Sequence, residues 1–376
     1  MLKQYKLKNY HFQLIAYVVI LTVLGIMVIG SAKESVQNKQ IIGFVGGLII
    51  MVIVSLIDYS VLIKFSWIYY FCTCGLLILV IAFGASSNNA QRWFEIGGIR
   101  FQPSEVAKIG IVLFFSGFFA KYYEKINSLK MLLVSFLLAG IPLLLILKQP
   151  DLSTTIVTAL IFITLLFIAG LSYKIVLGAL AIGIPSVIIV LVMTASGKFG
   201  LLEGYQRNRI MAWLDPTNPD YSDMARQQQN SIMAIGSGQL WGKGLNNSAA
   251  TSMKNANFII EPQTDFIFAV TGEELGFIGT LAIIVLLFLI VIECILISRK
   301  AKDLSGKLIC CGVGAWIGFQ GFVNICVATG LFPNTGVPLP FVSYGLTSLM
   351  SLYIGIGFKH LRFKITPFTI EIEGEF

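Results

Sequence analysis

Leu281-Ala282-Ile283-Ile284-Val285-Leu286-Leu287-Phe288-Leu289-Ile290-Val291-Ile292 carries no polar side chain. It is the centre of a longer apolar run, 270–297, enough to cross the roughly 30 Å core of a bilayer as a helix. Immediately before that run stands Glu261-Pro262-Gln263-Thr264-Asp265-Phe266-Ile267-Phe268, which puts a carboxylate at the mouth of a membrane helix. An ionisable group kept at such a boundary is costly, so Asp265 is a functional-site candidate by default. The competing reading is a helix N-cap or first-turn acid. Against capping, Phe266 and Phe268 would bury the carboxylate and raise its basicity.

Working outward, further runs of membrane length lie at 12–31, 41–57, 65–84, 104–120, 131–147, 152–170, 174–194, 308–330 and 341–360. Of 376 residues, 56% are hydrophobic and 12% charged, and the mean hydropathy is +0.83. Soluble domains carry about 25% charged residues, so composition excludes a soluble globular core. The expected fold is an all-α integral membrane protein of about ten transmembrane helices. It forms one polytopic domain, 1–376, with a long extracytoplasmic loop, 195–264, between spans seven and eight. The small residues Gly30-Ser31-Ala32 after the first span resemble a signal-peptide cleavage site, but a retained helix is expected with so many spans behind it.

The net charge of +8 sits in short clusters between apolar runs, which argues against nucleic acid. Placing Lys3, Lys6, Lys8, Lys64, Lys121, Lys125, Lys130, Lys174 and Arg299 to Lys307 inside leaves few basic residues outside, and puts both termini in the cytoplasm. The cysteines at 72, 74, 294, 310, 311 and 326 all fall in or beside apolar runs, so no disulfide framework is expected. His11 and His360 lack nearby ligand partners. Within the long loop, 223–235 reads as a helix stopped by Gly236-Ser237-Gly238. Gly236 to Gly244 superficially matches a phosphate-binding loop, but Ser237 and Gly244 break the pattern.

Four polar groups fall on the outer side. Arg92-Trp93 and Arg100-Phe101-Gln102-Pro103-Ser104-Glu105-Val106-Ala107-Lys108 form the first. Pro103 suits a first helical turn, and Glu105 and Lys108, three apart, can pair on one helix face. They form either a structural ion pair or, with Trp93 and Arg100, a site for an anion and a lipid headgroup. Second is Lys148-Gln149-Pro150-Asp151, where Asp151 suits the helix dipole. Third, Arg207 and Arg209 would recognise a diphosphate or form a solvated face. Asp265, with Glu273 and Glu274, is the fourth. Gly312, Gly314, Gly318 and Gly321 are spaced for close helix packing, and Leu331 to Phe341 reads as a rigid apolar turn.

Arg92-Trp93, Phe101 to Lys108, Lys148 to Asp151, Gln229 to Gly238, Thr264 to Val270 and Pro340-Phe341-Val342-Ser343-Tyr344-Gly345 together resemble the SEDS (shape, elongation, division and sporulation) family along nearly the whole chain. The stretch Leu331 to Phe341 looks more like the RodA (elongation) branch than the FtsW (division) branch. Two positions depart from the common pattern: Gln263 stands where many relatives have His, and Leu346 where many have Gly.

The resemblance implies a peptidoglycan glycosyltransferase that polymerises lipid II at the outer face of the bacterial cytoplasmic membrane and releases undecaprenyl diphosphate. It implies a class B penicillin-binding protein as partner, with Asp265 as the essential aspartate and Trp93, Arg100, Glu105 and Lys108 as functional residues. Asp151, Arg207 and Arg209 join them as substrate-binding candidates. The expected help comes from Mg2+ or another divalent cation, with Asp265 as base or metal ligand and no organic cofactor. The alternatives are a lipid II flippase and a non-catalytic scaffold. Against a flippase, the polar residues gather at one end of the spans, not at the midplane.

Overall fold

A computed structural model describes residues 11–87, 90–96, 99–178, 205–246 and 260–358, with single positions at 181, 185, 189 and 193. The chain is an all-α membrane protein carrying one small sheet. Helices α1 (Phe12–Ala32) and α2 (Glu34–Ser55) follow one another across Lys33. The short α3 (Tyr59–Lys64) begins where Asp58 accepts a hydrogen bond from Ser60 N at 2.9 Å, and α4 (Ser66–Phe83) follows. Then come strands β1 (Ala85–Ser87), β2 (Ala90–Ile96) and β3 (Ile99–Phe101), antiparallel in that order. Helices α5 (Pro103–Lys121), α6 (Leu129–Lys148) and α7 (Leu152–Ile168) complete the first half.

The second half holds α8 (Tyr205–Leu214), α9 (Ser222–Ser237), α10 (Ile267–Arg299), α11 (Leu304–Ala328) and α12 (Leu346–Gly357). Among the described residues, α1, α2, α4, α5, α6, α10 and α11 are long and apolar enough to cross a membrane, while α7 and α12 are shorter apolar helices. The span expected at 174–194 is helical over 173–178 and at the single positions; its remainder lies outside the described residues, as does 247–259 of the long loop. The small sheet of β1, β2 and β3 is an addition that the run-length reading did not anticipate. The tenth span begins later than expected, because 341–345 form a turn ahead of α12.

Helix α5 is the axis of the bundle. Sixteen of its 19 residues are buried, against α4, α7 and α11. By contrast α6 buries only Ser135, Ala139, Pro142 and Ile146 and leaves Leu133, Phe136, Leu137 and Leu144 exposed, as a lipid-facing helix should. The glycines of α11 receive neighbouring side chains: Val112 and Leu165 at Gly312, Cys294 at Gly314, Val291 at Gly318 and Leu287 at Gly321. Their spacing therefore serves packing within the fold. The six cysteines form no disulfide.

The run 270–297 is not one continuous helix. It breaks at Gly276, whose φ of 64° and ψ of −161° are accessible to glycine almost alone. Residues 277–299 make the span proper, and Ile267–Leu275 are a separate half-helix with Glu273 and Glu274 buried on it. Into this break docks the loop 238–246. The amides of Lys243 and Gly244 donate to the Glu273 and Glu274 carbonyls, each at 2.9 Å, and Lys243 Nζ pairs with Glu273 Oε1 at 2.8 Å. The phosphate-loop look-alike therefore spends its amides on helix carbonyls.

Candidate functional site

At the end of the bundle where α10 begins, the backbone ahead of Asp265 is pinned at consecutive carbonyls. Tyr344 N donates to Gln263 O at 2.8 Å, Ser343 Oγ to Thr264 O at 2.6 Å and Asn324 Nδ2 to Asp265 O at 2.9 Å. Ser343 and Tyr344 thus supply the donors for the Thr264 and Gln263 carbonyls. Left-handed non-glycine residues bracket the clamp, Glu261 at φ 52° and Phe341 at φ 63°, a strained backbone of the kind found at functional sites.

Among the described residues, nothing holds the Asp265 carboxylate itself. The N-cap of α10 is Phe266, with no side-chain cap hydrogen bond, and among the described residues no hydrogen bond or ion pair engages either Asp265 oxygen. The capping reading therefore fails. Around it, Gly336 supplies a wall without a side chain: a Cβ there would sit 3.1 Å from Asp265 Oδ2 and 3.7 Å from Arg209 Nη1. Arg209 is aimed by donating from Nη1 to Asn334 O at 3.1 Å. Desolvation pushes the Asp265 carboxyl up to about 6; Arg209 and then Arg92 oppose the rise, while Asp151 and Glu261 add to it.

The segment carrying Arg209 is tied down through the carbonyls that end α11. Gln228 Nε2 donates to Val327 O at 2.8 Å and Phe332 O at 2.6 Å, Ser231 Oγ to Ala328 O at 2.8 Å, and Trp213 Nε1 to Gly330 O at 2.9 Å. Helix C-termini leave such acceptors orphaned, so the polar face of α9 is a cap for α11.

The other predicted residues divide sharply. Asp151 caps α7 by accepting from Thr154 N at 3.1 Å, and it also receives Gln102 Nε2 at 3.3 Å. Arg92 is buried, donating to Gln149 O at 2.7 Å and to Pro150 O, so it braces the turn before α7. Arg100 is exposed and pairs with Glu95 at 3.0 Å. Trp93 is half-buried on β2, and Arg207 is partly exposed, without a hydrogen bond or ion pair among the described residues.

Glu105 and Lys108 pair as their spacing predicts, at 2.6 Å, but both are buried and do not face an open surface. Lys108 Nζ also donates to Gln320 Oε1 at 2.6 Å and lies 5.0 Å from the Trp316 ring. Gln320 in turn donates to Pro338 O at 2.9 Å, in the same turn as Gly336. The pair therefore acts on the Asp265 wall from one helical turn deeper in α11. Sequence reading passed over Gln320, Asn324 and Asn334; the only signal was amides in an otherwise apolar run. Among the described residues no three His, Cys, Asp or Glu side chains converge to hold a metal ion.

Known proteins resemble this chain along most of its length. Peptidoglycan glycosyltransferase MrdB of Escherichia coli K12 is 36% identical over 340 residues, covering 90% of this chain and 89% of MrdB. An FtsW of Haemophilus influenzae is 37% identical over 290 residues, 75% of this chain and 69% of that one. Rod shape determining protein RodA of Thermus thermophilus superposes with a TM-score of 0.67 at 26% identity, covering 94% of this chain and 96% of RodA. A chain from a peptidoglycan synthase complex that coordinates polymerization and crosslinking superposes with a TM-score of 0.77 at 27% identity, covering 94% and 97%. The FtsW/RodA/SpoVE family of cell cycle proteins matches residues 5–360, and the chain belongs to that family, on its RodA-like side.

Proposed function

We infer that this chain is a peptidoglycan glycosyltransferase of cell elongation, and we propose that Asp265 is its general base and lipid II its substrate. The observation that supports the reading best is the Asp265 carboxylate: unpaired among the described residues, on a pinned backbone, with Arg209 beside it. A carboxyl of pKa about 6 is mostly ionised at neutral pH and still basic enough to take a proton.

In the proposed step, the sugar 4-hydroxyl of one lipid II gives its proton to Asp265 as its oxygen attacks the anomeric carbon of a second lipid-linked sugar. The bond from that carbon to the diphosphate oxygen breaks, and undecaprenyl diphosphate leaves with the electron pair. Arg209 and Arg207, with Arg100 at the rim, supply positive charge where the leaving group gathers negative charge. Trp93 lies at the same end and suits a lipid headgroup level. Asp151 positions the turn that Arg92 and Gln102 brace. Glu105 and Lys108 support the wall through Gln320.

The Asp265 end faces the outside of the cytoplasmic membrane in this proposal, with both termini in the cytoplasm, and a class B penicillin-binding protein cross-links the product. The test uses purified protein with fluorescent lipid II and a gel for polymer. Polymer made by the chain alone supports the reading; a chain that moves lipid II across vesicles but yields no polymer contradicts it.

A further inference from the structure

Asn324 lies on α11 one turn from Gln320, and its carboxamide is used in a particular way. Nδ2 donates both to Asp265 O at 2.9 Å and to Val337 O at 2.6 Å. Oδ1 is buried with no hydrogen-bond partner among the described residues, so the amide aims its two donors at two carbonyls. The side chain is 1% exposed. The two carbonyls belong to segments far apart in sequence. One carries the Asp265 carboxylate. The other is the turn whose Gly336 borders that carboxylate and whose Asn334 O receives Arg209.

We propose that Asn324 is a positioning residue for the transfer reaction: its two N–H groups join the Asp265 segment to the Arg209-holding turn and so set where carboxylate and guanidinium stand relative to one another. The proposal rests on the glycosyltransferase reading above. Ser343 and Tyr344 fix the carbonyls of Thr264 and Gln263, but they leave the one at Asp265 to Asn324. Without the amide, one buried and one part-buried carbonyl lose this donor, which costs more than an unmade surface contact. The Asp265 carbonyl and the turn are then free to separate, and a misplacement of about 1 Å is enough to slow a reaction about a hundredfold.

The test is steady-state polymerisation by purified, detergent-folded protein with lipid II. Asn324→Leu, similar in size but without donors, is expected to lower kcat by about tenfold or more while KM changes by less than about threefold. Arg209→Ala supplies the second arm. If Asn324 acts through the Asp265–Arg209 geometry, adding Arg209→Ala to Asn324→Leu costs less than about twofold further, because neighbours acting on one geometry are not additive. Where Asn324→Leu does not fold, the cycle is run with Asn324→Ser, which keeps one donor. A kcat within about twofold of the parent per folded molecule, or losses that multiply fully with Arg209→Ala, overturns the proposal. Absence of polymer from the unaltered chain overturns the glycosyltransferase reading, and the proposal with it.

Discussion

Lys108 Nζ lies 2.6 Å from Glu105 Oε1, with neither side chain open to solvent. Two charges out of water repay their desolvation only while both remain. Glu105 already has one buried oxygen, Oε2, without a hydrogen bond among the described residues. Replacing Lys108 by Met therefore leaves an uncompensated carboxylate and is expected to destabilise by about 3–5 kcal/mol. The double change Lys108→Met with Glu105→Gln should recover most of that loss. Thermal unfolding of the purified variants checks it: equal destabilisation of single and double variants would contradict the buried-pair account.

Polymerisation should fall as pH drops through the Asp265 transition. The carboxyl is pushed up to about 6, and the base is active only when ionised, so the sign is a loss towards acid. Between pH 7 and pH 5 the ionised fraction, and with it kcat, should fall about tenfold. A flat rate over this interval would remove Asp265 as the base.

The same shift has a consequence for stability. A carboxyl raised above its ordinary value favours the folded state only while protonated, so this contribution is present below about pH 4 and is lost as pH rises through about 6. Asp265→Asn removes the desolvated charge. It should therefore unfold later than the parent at pH 7.5, by on the order of 1–2 kcal/mol, with no difference near pH 4. Unfolding at the two pH values tests this, and a less stable Asn variant at pH 7.5 counts against it.

Gly276 is predicted to tolerate no side chain. Its φ is 64°, and a Cβ would collide with the Gly242 amide and the Leu240 carbonyl of the docked loop. Gly276→Ala should destabilise by more than about 2 kcal/mol and expose the loop 238–246 to protease. Unchanged protease resistance would show that the break in α10 does not depend on glycine.

Much of this was legible in the residues. Apolar run length marked most of the spans because a bilayer leaves backbone polar groups no partner but their own helix. Asp265 stood out because its cost demanded a reason. What stayed hidden had other causes. The strand pair around Gly97-Gly98 carried a two-residue hairpin signal, but it sat between spans too close together to suggest a sheet. The Gly276 break was masked by apolar residues on both sides. Glu105 and Lys108 were placed in the right pair, with a structural ion pair and a headgroup site both left open, because spacing along one helix reports partners but not depth. Asn324 and Gln320 contact carbonyls of the 337–338 turn, and Asn324 also reaches Asp265, 59 residues away in sequence; no local pattern encodes such contacts.

The central claim is that Asp265 carries the chemistry while the rest of the fold holds it in place. The direct measurement is polymer formation from lipid II by purified Asp265→Ala, alongside the unaltered chain, with folding monitored by thermal unfolding in the same detergent. The account predicts a folded variant that makes no detectable glycan. Polymer at the parental rate from folded Asp265→Ala would contradict it.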